Sequence, residues 1–207
     1  MGRLVIPIGI DINRVNAVFG SHDEVLFDQL VRSRYFKKFD EEFSFKRELS
    51  DLIFTYVPVG NRKVVSSKLF GLIKGTDGRR LEGEWNDYGY ALLTMCSYLG
   101  YTFSETNDEL EYSHSWEQIN TLLRINGCRM DLSRMLESKQ VFDTPYIHDD
   151  IYTNIYSKKE VVELVSHLLI IEKDIEEKNQ KPFYVLKSGL LNCMDKHLDL
   201  VIFSYEI

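Results

Sequence analysis

The stretch Asp11–Glu24, DINRVNAVFGSHDE, sets two helix ends back to back. Asp11 is positioned to cap a helix whose apolar residues Ile12, Val15, Val18 and Phe19 recur at helical spacing. Gly20 supplies a residue free to turn left-handed and stop that helix. Ser21 and Glu24 then have capping-box spacing, each side chain able to satisfy a backbone N–H that the next helix leaves orphaned. The stretch predicts a rigid helical corner, and it carries no reactive group.

Working outward, Arg3–Ile10 alternates Leu4, Ile6, Ile8 and Ile10 with other residues, as a strand with one buried face does. Pro7 predicts an edge strand or a bulge. After the corner, a helix is expected from Ser21 to near Tyr35 with Val25, Leu26, Leu30 and Val31 inward. A basic turn at Phe36–Asp40 follows, then a helix over Glu42–Tyr56 carrying Phe45, Leu49, Leu52, Ile53 and Tyr56. Val64–Ile73 reads as a helix or a strand, which glycines 71, 75, 78 and 83 then break into a loop, and 61–80 is a candidate loop insertion. The next helix starts at Asn86 or Asp87 and runs through Ala91, Leu92, Met95 and Leu99 to Gly100. Tyr101–Phe103 reads as a short strand and Thr106–Ser113 as an acidic surface loop.

In the second half, Ser115 with Gln118 has capping-box spacing and Gly127 is the matching stop. Asp131 caps a short helix with Leu132, Met135 and Leu136, and Val141–Thr153 is irregular. Ser157 with Glu160 opens a long helix to about Asn179, whose tail EKDIEEKNQK reads as a solvated charged end. Pro182 starts the last helix, which ends near Lys196. Leu198–Ile207 is a closing strand with Val201, Phe203, Tyr205 and Ile207 on one face, able to pair with the first strand. The expected fold is α+β: a mostly helical single domain over 1–207 with a small sheet that includes the N- and C-terminal strands.

Composition bounds the function. With 44% apolar and 13% aromatic residues in 207, the chain is globular and long enough for a core. The odd set Cys96, Cys128 and Cys193 contains no C-x-x-C pair, which predicts three buried thiols in a reducing compartment. No signal-peptide pattern precedes the first strand, and Val161–Ile171 is too short and too polar to span a bilayer, so the expected address is the cytosol with no membrane contact. A net charge of −7 argues against nucleic-acid binding. Residues 32–80 carry twelve Lys/Arg against six Asp/Glu, whereas 81–120 carry eight Asp/Glu and no Lys or Arg. Such blocks either steer an oppositely charged partner or cancel when folding interleaves them.

Four pieces of the chain resemble a family of small bacterial cytosolic proteins classed as a domain of unknown function. They are the first strand with Asp11, Val15, Gly20, Ser21 and Asp23; YGYALLTMCSYLG at Tyr88–Gly100; IYTNIYSKKEV at Ile151–Val161; and DLVIFSY at Asp199–Tyr205. The resemblance implies a shared fold and brings no activity or functional residue with it.

Candidate sites are few. His148, Asp149 and Asp150 combine an imidazole with two carboxylates, suited to a divalent metal or to acid/base work. Consecutive residues in extended chain alternate faces, so a polar loop with a turn hydrogen bond is the plainer reading. Asp195, His197 and Asp199 bracket a helix end, where an imidazole complements the helix dipole. Trp85, Tyr88 and Tyr90 flank a helix start and serve either as contact area for a ligand or partner or as core. The glycine spacing matches no phosphate-binding loop. The functional expectation is a non-enzymatic protein-binding module without cofactor. Its most specific form is a bacterial inhibitor or immunity-type protein that meets a basic partner through an acidic face including Glu105, Asp108, Glu109 and Glu111. The alternative is a small metal-assisted hydrolase using His148, Asp149 and Asp150, and a homodimer burying an aromatic patch is a third reading.

Overall fold

The structure, a computed structural model, describes residues 3–56, 85–103, 110–111, 114–137, 141–142 and 151–206. They fall into two compact units, one within 1–11, 100–141 and 150–207 and the other within 12–99 and 142–149. The chain is α+β and mostly helical, with an antiparallel sheet that includes the N- and C-terminal strands, as expected. The proposed insertion at 61–80 lies outside the described residues.

The first unit is built on that sheet. β1 (Arg3–Ile10) pairs along its whole length with β5 (Asp199–Glu206), from Arg3↔Glu206 to Ile10↔Asp199. β4 (Ile151–Tyr156) covers the other side of β5, and β2 (Tyr101–Thr102) and β3 (Leu110–Glu111) both pair with the outer side of β1. Three expectations are corrected here. The loop at Thr106–Ser113 contributes β3, and Ile151–Thr153 belongs to β4. β1 is an inner strand without a bulge: β2 takes Ile8 and Gly9, β3 takes Leu4 and Val5, and Ile6–Pro7 falls between them. A residue lacking an N–H is tolerated there, where none of the described strands pairs on that side.

One sheet face, carrying Val5, Leu200 and Ile202, shares a core with three helices: α6 (His114–Ile125), α7 (Lys158–Ile171) and α8 (Gln180–Asp195). Trp116, Ile119 and Leu123 of α6 meet Val161, Leu164, Val165 and Leu168 of α7 and Phe183, Leu186 and Leu190 of α8. These residues recur at three- and four-residue intervals, so each helix turns one stripe inward. The capping box at the start of α7 forms as expected, Ser157 Oγ accepting from Glu160 N and Ser157 N donating to Glu160 Oε2. Asp131 caps the 3-10 turn Leu132–Leu136, also as expected. α6, however, starts at His114, ahead of Ser115. The long helix breaks at Ile171; two 3-10 turns, Glu172–Asp174 and Glu177–Asn179, link α7 to α8. The break lets Asn179 be buried and anchors Glu172 on Lys187 Nζ at 2.5 Å, which a continuing helix would not.

Glu160 also holds Arg134, Nη1 to Oε1 at 3.0 Å. Burial pushes the Glu160 carboxyl up, but the Ser157 N–H, the Arg134 guanidinium and the Ser157 hydroxyl outweigh it and hold it below the usual glutamate range. A carboxylate depressed in the folded state stabilises above its unfolded pKa, about 4.3, and loses that contribution as pH falls through the folded value. Urea unfolding at a series of pH values should therefore show a steeper acid-side loss in wild type than in Glu160→Gln. Parallel curves would refute a stabilising role for this carboxylate.

The second unit is helical where described. α1 is short (Ile12–Asn16). It is followed by α2 (Glu24–Val31), α3 (Arg34–Phe43), α4 (Lys46–Ser50) with a π-helical turn at Asp51–Thr55, and α5 (Trp85–Leu99). The cap of α2 is Asp23, whose Oδ1 accepts from Leu26 N at 2.9 Å, and not Ser21. Gly20 turns left-handed at φ +65° and donates to Leu52 O at 2.9 Å, which ties the corner to the π-helical turn. The register shift leaves Val25 at 69% exposure while Leu30 is buried. The expected basic turn at Phe36–Asp40 is helical: Ser33 caps α3 and turns Tyr35, Phe36 and Phe39 inward, leaving Lys37 and Lys38 outside. Phe45, Leu49, Leu52, Ile53 and Tyr56 are buried as expected, with Phe45 edge-on to Phe36.

Candidate functional site

A groove of about 340 Å³ lies within the first unit between α6 and the linker of α7 and α8. On one wall α6 presents Glu117, Gln118, Thr121 and Leu122, residues one helical turn apart. On the other, the two 3-10 turns present Asp174, Ile175, Glu176 and Asn179. Asn179 Nδ2 donates to Gln118 Oε1 and so joins the two walls. Leu122 and Ile175 supply apolar surface, and Glu117, Asp174 and Glu176 are exposed carboxyl residues. No Lys or Arg is among the described residues that line it. Lys178 pairs with Glu176 at 2.8 Å, but both are about two-thirds exposed, and such pairs contribute little. The groove therefore combines negative charge with an apolar wall, which suits a basic side chain with a long aliphatic stem.

A second group sits elsewhere in the same unit. Cys128, Glu163 and His167 bring a thiol, a carboxylate and an imidazole within 4.8 Å of one another, a set able to hold a metal ion. Burial pushes the Cys128 thiol up; a hydrogen bond from Met130 N lowers it, and Glu163 raises it further.

A family model for a domain of unknown function, DUF7691, matches residues 1–205. The chain belongs to that family. No curated protein and no solved structure matches it. Membership in DUF7691 bears out the resemblance to a domain of unknown function, and it names no activity.

In this DUF7691 chain the residues singled out in the sequence separate. Tyr88 and Tyr90 are each 4% exposed and belong to the interior of the second unit, not to a contact surface. Tyr88 donates to Asp51 Oδ2 at 3.1 Å, and burial with that carboxylate drives its phenol pKa well up. The Tyr90 ring lies against Phe39 and Phe45. Trp85 opens α5, and Glu111 lies on β3 opposite Leu4. Glu105, Asp108 and Glu109, and likewise His148, Asp149 and Asp150, lie outside the described residues. His197 takes the left-handed position after α8 (φ +54°), the expected helix end, and Asp199 Oδ1 accepts from Lys158 N at 3.0 Å. All three cysteines are buried and free, as expected. Among the described residues no helix is long and apolar enough to cross a membrane.

Sequence reasoning missed both the groove and the Cys128 group. Glu163 and His167 stand at helical i, i+4 spacing, which was a legible signal. The approach of Cys128 is tertiary and had none. Of the acidic stretch 81–120, Glu117 is the residue that the groove uses.

Proposed function

We propose that this chain is a protein-binding module that takes a basic side chain of a protein partner into the α6 groove. The observation that supports this is the groove itself: three carboxyl residues, three apolar residues and no cation among its described lining. A lysine or arginine entering it would lay its stem along Leu122 and Ile175 and bring its charge to Glu117 and Asp174. Electrostatic complementarity of this kind mainly speeds encounter and selects partners. The finer form is a cytosolic bacterial inhibitor or immunity-type protein with an acidic binding face, for which Glu105, Asp108, Glu109 and Glu111 are the candidates from the sequence.

The experiment is a quantitative pull-down with wild type beside Glu117→Lys/Asp174→Lys, at low and high salt. Both sites are exposed, so the fold is expected to survive, checked by circular dichroism. A stoichiometric partner of basic character should weaken by about tenfold or more in the variant, and with rising salt in wild type. A partner retained equally by the variant would rule out the groove.

A further inference from the structure

The geometry points to a zinc site formed by Cys128 Sγ, the Glu163 carboxylate and the His167 imidazole, apart from the α6 groove. The local chain builds it from both sides. α6 ends at Ile125, Gly127 turns left-handed at φ +80°, and Cys128 N bonds back to Leu123 O at 3.0 Å. That turn sets Cys128 against α7 at 6% exposure. Glu163 and His167 lie one turn apart on α7, half-buried, so their side chains leave the same face of the helix.

The donor atoms already lie within 4.8 Å of one another. Ligand atoms of a tetrahedral zinc ion stand roughly 3.3–3.7 Å apart, given Zn–S near 2.3 Å and Zn–N or Zn–O near 2.1 Å. A thiolate beside an imidazole selects zinc over magnesium or calcium, which demand all-oxygen shells. A further observation agrees. His167 Nδ1 is buried and has no hydrogen-bond partner among the described residues, the condition a bound cation would relieve. A nucleophilic cysteine would need a cationic neighbour to ionise; here the neighbour is a carboxylate, which favours a shared cation instead. Three protein ligands leave the fourth tetrahedral position to water.

Titrating the full metal-free chain with Co²⁺ tests this. Wild type should bind one equivalent with a near-ultraviolet thiolate-to-cobalt band, erased by adding Zn²⁺. Cys128→Ser should lose the band. Glu163→Gln and His167→Gln alter half-buried side chains and should keep the wild-type far-ultraviolet spectrum while weakening Co²⁺ about tenfold or more. The assignment is overturned if wild type shows no such band. It is equally overturned if Glu163→Gln and His167→Gln, correctly folded, bind Co²⁺ as tightly as wild type.

Discussion

Trp116→Ala is expected to destabilise the first unit by about 3–5 kcal/mol, the range for emptying a fully enclosed large aromatic site. Trp116 is 1% exposed in the first turns of α6 and belongs to the core shared with α7, α8 and the inner sheet face. It shares that core with Leu164 and Phe183 from two other helices, so filling the space would take movement of more than one element. Urea unfolding followed by circular dichroism measures the effect, and a conservative Trp116→Phe should recover part of it. A loss below about 1 kcal/mol would mean that the ring is not packed as described.

Gly20→Val should be nearly as severe, for a different reason and in the other unit. The left-handed φ of +65° costs a β-branched residue about 1–2 kcal/mol. A Cβ at this position also collides with the Tyr56 carbonyl oxygen, a backbone atom that cannot rotate away. Overpacking adds about 1–3 kcal/mol, for a total of roughly 2–5. Because Gly20 N and His22 N bond Leu52 O and Ile53 O, relief of the clash would break the ties to the π-helical turn. Hydrogen exchange at those two amides is the sharpest check. Protection unchanged in a variant of unchanged stability would refute this account of the corner.

The sequence showed the devices that act over three or four residues. The Ser157–Glu160 box, the Asp131 cap, the α5 stripe from Ala91 to Leu99 and the alternation of β1 were legible because each satisfies backbone or apolar requirements locally. Pairing of the first and last strands was legible because neither could bury its apolar residues alone. The errors lie where two local solutions compete. Ser21 and Asp23 are both good caps, and the tie from Gly20 to Leu52 decides for Asp23. A helix running to Asn179 satisfies the pattern of charges, but burial of Asn179 and the Glu172–Lys187 pair decide for two tight turns. Tyr88 and Tyr90 are equally suited to a surface or a core, and nothing local separates those roles. The groove and the Cys128 group needed residues brought together from remote parts of the chain.

The pairing of β1 with β5 also sets a timetable for synthesis. Ile10 faces Asp199, so the first strand leaves the ribosome long before its partner exists. At about 5–20 residues per second this interval is on the order of tens of seconds. Throughout it, the apolar run Val5–Ile10 has no β5 to pair with, the kind of segment that stacks with copies of itself. Pro7 interrupts that run with a residue that cannot donate a ladder hydrogen bond. A proline that looks like a flaw in an inner strand is, in the unpaired run, the kind of residue that disfavours self-stacking before β5 completes the sheet.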